Sequence, residues 1–153
     1  KTEGDSALFA YTKEFDKTEI TADTIKVTEE EIKEAYEAVD PALIDVIRKA
    51  LVNIRSYHEK QRQYSWFDSK PDGTILGQKV TALDRVGVYV PGGKAAYPSS
   101  VLMNIVPAKT AGVREIIMVT PPGKDGKVTP TTLVAAKEAG AIHIQLSGKR
   151  RGK

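Results

Sequence analysis

Cysteine is absent from the 153 residues, histidine occurs twice and tryptophan once. The first absence excludes disulfides and thiol catalysis, and it is what a protein of the reducing cytoplasm shows. No apolar run approaches the roughly 18 residues of a membrane span, and no signal peptide is read at Lys1. The opening stretch KTEGDSALFAY has the pattern of an element's interior, so further residues are expected upstream. No internal repeat has solenoid spacing and no segment is of low complexity. A broad basic face is also missing. The formal net charge is +3, and much of the excess is gathered in GKRRGK at residues 148–153. That tail reads as a solvated end, and without interleaved aromatic residues it is not expected to bind nucleic acid. What remains, 41% apolar and 28% charged, is a soluble globular chain of one domain or two small ones.

The pattern changes near Val86. Residues 1–85 read as helices followed by a hairpin. Asp5 or Ser6 can cap a helix carrying Leu8, Tyr11 and Phe15. In VTEEEI, Thr28 and Glu31 form a capping box ahead of the stripe Ile32, Tyr36 and Val39. Asp40 caps the next helix and Pro41 takes its first position, where a missing N–H leaves nothing unsatisfied. Leu43, Ile44, Ile47, Leu51 and Ile54 then keep a period near 3.6 to about Gln61. YSWF, KPDG and TILGQKVT read as two strands around a turn at Pro71 and Gly73.

Residues 86–147 alternate. Strands are expected at 86–90, 116–120 and 142–146. A helix capped by Ser99 or Ser100 follows the first, and Pro107 is expected to kink or end it. Gly112 closes that segment. A helix from Thr129-Pro130 to Gly140 follows the second strand. The order β-α-β-α-β predicts a parallel sheet with right-handed crossovers. The fold class is therefore α/β: amino-terminal helices and a β-hairpin, then an incomplete Rossmann-like unit. A sheet cut to three strands should leave an unpaired edge and an uncovered apolar face, which favours self-association.

The corner VYVPGG, at the carboxyl end of the first parallel strand, is where open α/β sheets bind ligands. Pro91, Gly92 and Gly93 would let a ligand approach the backbone, and a following helix start offers N–H groups to an anion. A tight structural turn would look the same. Neither the dinucleotide fingerprint nor the phosphate-loop spacing is present. Tyr89, between Val88 and Val90, also matches an ordinary half-buried strand tyrosine.

The stretch RVGVYVPGGKAAYPSSVLMNIVPAKTAGVREIIMVTPP closely resembles histidinol dehydrogenase. The similarity extends upstream through EGDSALFAYTKEFD, NIRSYHEKQ and DGTILGQKVTALD, and downstream to about AAKEAGA. The resemblance implies an oxidoreductase of histidine biosynthesis that takes L-histidinol to L-histidine in two NAD-dependent steps through an aldehyde. It also implies a zinc ion in the site, and a homodimer in which each active site draws on both subunits. The family's YVPGG tyrosine contacts NAD and falls on Tyr89, and its proline falls on Pro91. Gly92 and Gly93 would then shape the backbone that the dinucleotide approaches. On this basis 86–147 is expected to be a partial NAD-binding domain and 148–153 a basic tail.

The resemblance stops before the chemistry. Where the family carries a cofactor-binding glutamine after two glycines and an alanine, this chain reads SGKRRGK. The family's zinc ligands and its proton-handling glutamate and histidine have no counterpart here. His58 and His143 lie far apart in sequence, without carboxylate partners at ligand spacing. A catalytic zinc needs about three protein ligands. Asp72, Asp84 and Asp125 sit beside glycines or at junctions, where turn chemistry accounts for them. The expectation is the amino-terminal portion of a histidinol dehydrogenase, truncated before its catalytic and metal residues and inactive alone, with a homo-oligomer or a complementing chain as partner. The abrupt change after Gly140 also fits a shifted reading frame or an artificial boundary. The alternative is a non-catalytic nucleotide-binding or structural fragment that associates through exposed surfaces.

Overall fold

A computed structural model describes residues 4–92, 97–123 and 125–146. Gly93 and the basic tail lie outside them. The first helix, α1 (Gly4–Tyr11), runs into a π-wound turn over Thr12–Asp16. Helices α2 (Glu29–Ala38) and α3 (Pro41–Glu59) follow, then the hairpin strands β1 (Trp66–Ser69) and β2 (Ile75–Gln78). The alternating part contains β3 (Arg85–Tyr89), α4 (Pro98–Thr110), β4 (Glu115–Thr120), α5 (Pro130–Ala139) and β5 (His143–Leu146). The three later strands pair in parallel in the order β3-β4-β5, as the crossover pattern predicts.

Burial sorts the helices into layers. α4 buries Val101, Leu102, Ile105 and Val106, and α5 buries six of its ten residues, Thr132 to Ala136 and Ala139. A helix apolar around so much of its surface needs cover on more than one side. The sheet covers one side through Ile116, Met118, Ile144 and Leu146, which are buried. The other side is met by α2 and α3, which pack on α4 and α5 with one stripe each: Ile32 and Ala35 from α2, and Ile44, Ile47 and Leu51 from α3. A single apolar core therefore runs from Ile20 to Leu146, across the change of pattern at Val86.

The capping reading of α2 and α3 holds. Glu31 N donates to Thr28 Oγ1 at 3.2 Å while Thr28 N donates to Glu31 Oε2 at 2.8 Å. Ala42 N donates to Asp40 Oδ1 at 2.8 Å, with Pro41 at the first position. Gly112 and Gly140 take positive φ at the ends of α4 and α5, a conformation that costs glycine least.

Three expectations need correction. α1 begins at Gly4, so Asp5 and Ser6 lie inside its first turn, and Tyr11 and Phe15 are about half-exposed rather than a core stripe. α4 begins at Pro98 and not at a serine, because proline's fixed φ suits the first helical position. Pro107 does not end α4: the helix continues to Thr110. Its missing N–H frees only the carbonyl of Met103, a residue 55% exposed, so water can satisfy that group. The expected unpaired edge is, among the described residues, that of β3. The outer edge of β5 is covered: Val27 N donates to Ile144 O at 3.0 Å and Leu146 N donates to Ile25 O at 2.8 Å, so the linker before α2 lies along that edge.

A polar knot joins the outer and middle helices. Glu138 of α5 accepts from Tyr36 Oη of α2 at 2.8 Å and from Arg48 of α3 through Nη2 at 2.8 Å and Nε at 3.1 Å. The Arg48 bond holds the Glu138 carboxyl below its usual range. Burial, and then the bond to Glu138, pushes the Tyr36 phenol up to about 12. A raised acid keeps its proton longer in the folded chain than in the unfolded one. The stability it contributes is complete below its ordinary value of 10.0 and is lost as pH climbs toward about 12. Urea denaturation at a series of pH values should show stability falling across that window, with a shallower fall in Tyr36→Phe and a cost of about 1 kcal/mol for the lost hydrogen bond at neutral pH.

Candidate functional site

The carboxyl ends of β3, β4 and β5 form one edge of the sheet, the side on which α/β sheets place ligands. β3 alternates, so Val86 and Val88 turn toward the helices and Tyr89 turns to the open face, 45% exposed. The ladder extends one residue further, with Val90 N donating to Val119 O at 2.9 Å, and Val90 is buried. Pro91 and Gly92 then leave the sheet. Gly92 lies so close to the end of β4 that a Cβ there would come within 2.9 Å of Pro121 Cγ and 3.0 Å of its carbonyl oxygen. Glycine at this corner is a packing requirement.

Beside the carboxyl end of β5, the same edge meets the segment that follows α1. The π turn ends at Asp16, and Lys17 adopts a left-handed φ of +58°, uncommon for a residue other than glycine. Thr18 Oγ1 donates to Asp16 O at 3.3 Å. The loop after β4 packs on this segment: a Cβ on Gly126 would lie 3.3 Å from Thr18 Cγ2. A cavity of about 470 Å3 opens between them, lined by Lys17, Thr18, Glu19, Asp125, Gly126 and Leu146. Burial raises the Tyr89 phenol, and the Asp16 charge raises it further. Asp16 is itself raised by burial, and its Oδ2 is closed to water with no hydrogen-bond donor.

Of the residues singled out from sequence, Tyr89, Pro91 and Gly92 thus meet at one edge, and Gly93 lies outside the described residues. The histidines stay apart. His58, near the end of α3, has Nδ1 2.7 Å from Gln61 Oε1 and lies edge-on to Tyr57. His143 starts β5 at the other edge of the sheet, and its Nδ1 is enclosed without a partner. Asp72 accepts from Thr74 N at 2.9 Å, Asp125 accepts from Lys127 N at 3.1 Å, and Asp84 pairs with Arg114, which agrees with the turn-and-junction reading. A larger cavity, about 740 Å3, lies elsewhere, among His58, Tyr64, Leu83, Pro107 and Val113. It sits where β3 and β4 begin, not where they end, so its size does not make it the better site.

The histidinol dehydrogenase family model matches residues 1–150. The chain belongs to the histidinol dehydrogenase family. It is 59% identical to histidinol dehydrogenase of Bacillus subtilis (strain 168) over 148 residues, which is 97% of this chain and 34% of that protein. It is 55% identical to that of Heliobacterium mobile, over 95% of this chain and 34% of the relative. The crystal structure of histidinol dehydrogenase from Elizabethkingia anophelis superposes with a TM-score of 0.87 at 35% identity, covering 95% of this chain and 33% of that one. The chain therefore spans about a third of the length of the histidinol dehydrogenases it matches. Among the described residues no three His, Asp or Glu side chains gather as a metal site, so these residues do not fit a zinc centre.

Gly92→Ala should lower the urea midpoint, by roughly 1–3 kcal/mol, because the methyl group meets backbone that cannot yield freely. Gly87→Ala on β3, where a Cβ would meet nothing within 4 Å, is the control and should be near neutral.

Proposed function

We propose that this chain is the amino-terminal part of an NAD-dependent, zinc-containing histidinol dehydrogenase of the cytoplasm, carrying one wall of the NAD site and inactive by itself. The observation that carries the reading is the position of Tyr89: a half-exposed ring on the open face at the last residue of the first parallel strand, just ahead of a corner where a Cβ on Gly92 would run into Pro121. In the complete enzyme NAD supplies the hydride acceptor for both oxidations of histidinol to histidine. This chain's share is binding. The Tyr89 ring offers a flat apolar surface, Pro91 sets the direction of the backbone, and Gly92 and Gly93 keep side chains out of the dinucleotide's path. Removing the alcohol proton needs a base within about 3 Å of it. That base, the zinc ligands and the groups that hold histidinol belong to the remaining two thirds of the relatives' length.

A homo-oligomer or a complementing chain is the partner this reading requires, and the hairpin supports it. Strands β1 and β2 place Phe67 and Ile75 on one face and Trp66 and Leu76 on the other, and all four are more than half exposed. A two-stranded hairpin with no buried face is marginal in water. Apolar residues on both faces favour burial between two surfaces in an assembly. The same feature favours the runner-up reading, a non-catalytic module whose role is association.

The purified chain mixed with histidinol, NAD and zinc should produce no NADH; turnover would show that the missing groups have been replaced. Calorimetric titration with NAD should give measurable affinity that Tyr89→Ala weakens without lowering the unfolding midpoint, and equal affinity in the variant would overturn the assignment. The single tryptophan reports association. Trp66 emission should move to shorter wavelength as concentration rises, in step with an increase in sedimentation coefficient, whereas a compact monomer at micromolar concentration would argue against the partner.

A further inference from the structure

The hairpin is an arm without cover. Every residue of β1 and β2 is exposed, and Trp66, Phe67, Ile75 and Leu76 are each more than half so. Its base is clamped: Val80 N donates to Ser65 Oγ at 2.9 Å, and Ser65 Oγ donates to Val80 O at 3.3 Å. Ser65 and Val80 also line the cavity of about 740 Å3 at the amino ends of β3 and β4. That volume falls within the roughly 300–1,000 Å3 of sites that enclose a partner group. Leu83, Pro107, Ala111 and Val113 give the cavity an apolar wall, yet none of the hairpin's four apolar side chains lines it. One chain thus carries an arm with nothing to rest on and, at the arm's foot, a hollow that the arm does not fill.

Area and charge point to a second copy as the occupant. The four hairpin side chains, with Tyr64 and Leu83 at the hollow, expose on the order of 600 Å2 at about 100 Å2 each. This approaches the ~800 Å2 that one partner contributes to a standard interface. The turn end of the arm carries Asp68 and Asp72 against Lys70. A depression that shares Arg62, Tyr64 and Thr110 with the cavity is lined by Arg55, Arg62 and Lys109 against Glu59. The arm is therefore acidic where the surroundings of the hollow are basic. Both parts belong to every copy, so a two-fold axis satisfies both at once and closes the assembly at two. We propose that two copies of this chain lock reciprocally. The hairpin of each lays its apolar side chains in the other's cavity and its acidic turn against the other's Arg55, Arg62 and Lys109. The proposal rests on the association reading above, which it deepens, and is independent of the NAD assignment.

The chain has no cysteine, so introduced thiols report without interference. Ser69→Cys places one on the hairpin, and Thr110→Cys places another where cavity and depression meet. Mixed under mild oxidation, the two variants should become disulfide-linked to each other in preference to themselves, because the bond needs Cα atoms within about 7 Å. Asp68→Lys and Arg55→Glu should each weaken dimerisation roughly 3–10-fold in sedimentation at low salt. An equal mixture of those two variants should recover it, since both charge pairs of the mixed dimer are again attractive. Linkage of the Ser69→Cys variant chiefly to itself would set hairpin against hairpin and overturn the proposal while leaving association standing. A dimer that neither cross-links in the expected way nor responds to the charge variants overturns it in the same manner. A monomer throughout the micromolar range removes the association reading as well.

Discussion

Helix α5 buries Thr132, Leu133, Val134, Ala135, Ala136 and Ala139 within ten residues, more than one flat partner can cover. This two-sided demand organises the molecule. α2 and α3 pack on it from one side with α4 alongside, and the parallel crossovers set the sheet on the other. Small residues at Ala135, Ala136 and Ala139 let neighbouring elements approach closely. The Glu138 knot then fixes the register of three helices on the outward side, where a carboxylate can meet Tyr36 and Arg48 without being stranded. The amino-terminal helices are in this sense part of the nucleotide-type fold, although their sequence pattern sets them apart from it.

The same packing positions the site. Because β3 and β4 are held in parallel register from Arg85 against Glu115 to Tyr89 against Val119, their carboxyl ends finish level. The corner at Gly92 can then lie on Pro121, and Tyr89 is left on the face that α4 and α5 do not cover. A half-exposed ring and a corner stripped of side chains are each unfavourable for an isolated chain, and each becomes useful if a ligand lies against them. Sites that cost stability for binding are the usual places where local rules of folding are broken.

The chain also carries surfaces that its own residues leave bare. The open edge of β3, the half-exposed side of the sheet and both faces of the hairpin are apolar enough to want cover. They lie on a chain about a third as long as its matched relatives. The edge of β5, by contrast, is closed by the chain itself through residues 25–27, so this fragment is better protected against strand addition than a bare three-stranded sheet.

Local chemistry determined much of this protein directly. The capping box at Thr28 and Glu31, Pro41 behind Asp40, the positive-φ glycines and the β-α-β-α-β order are set by neighbours within a few residues, so they could be read in one dimension. So could the family, because VYVPGG and its flanks are contiguous. That α4 runs on past Pro107 was not legible, because it depends on Met103, whose carbonyl loses its donor, lying on the side of α4 that meets water, a tertiary fact. The covering of β5 and the packing of α2 on α5 were likewise decided only by the folded structure. Each joins residues more than ninety positions apart, and no local spacing encodes a contact that only packing of the intervening chain brings about.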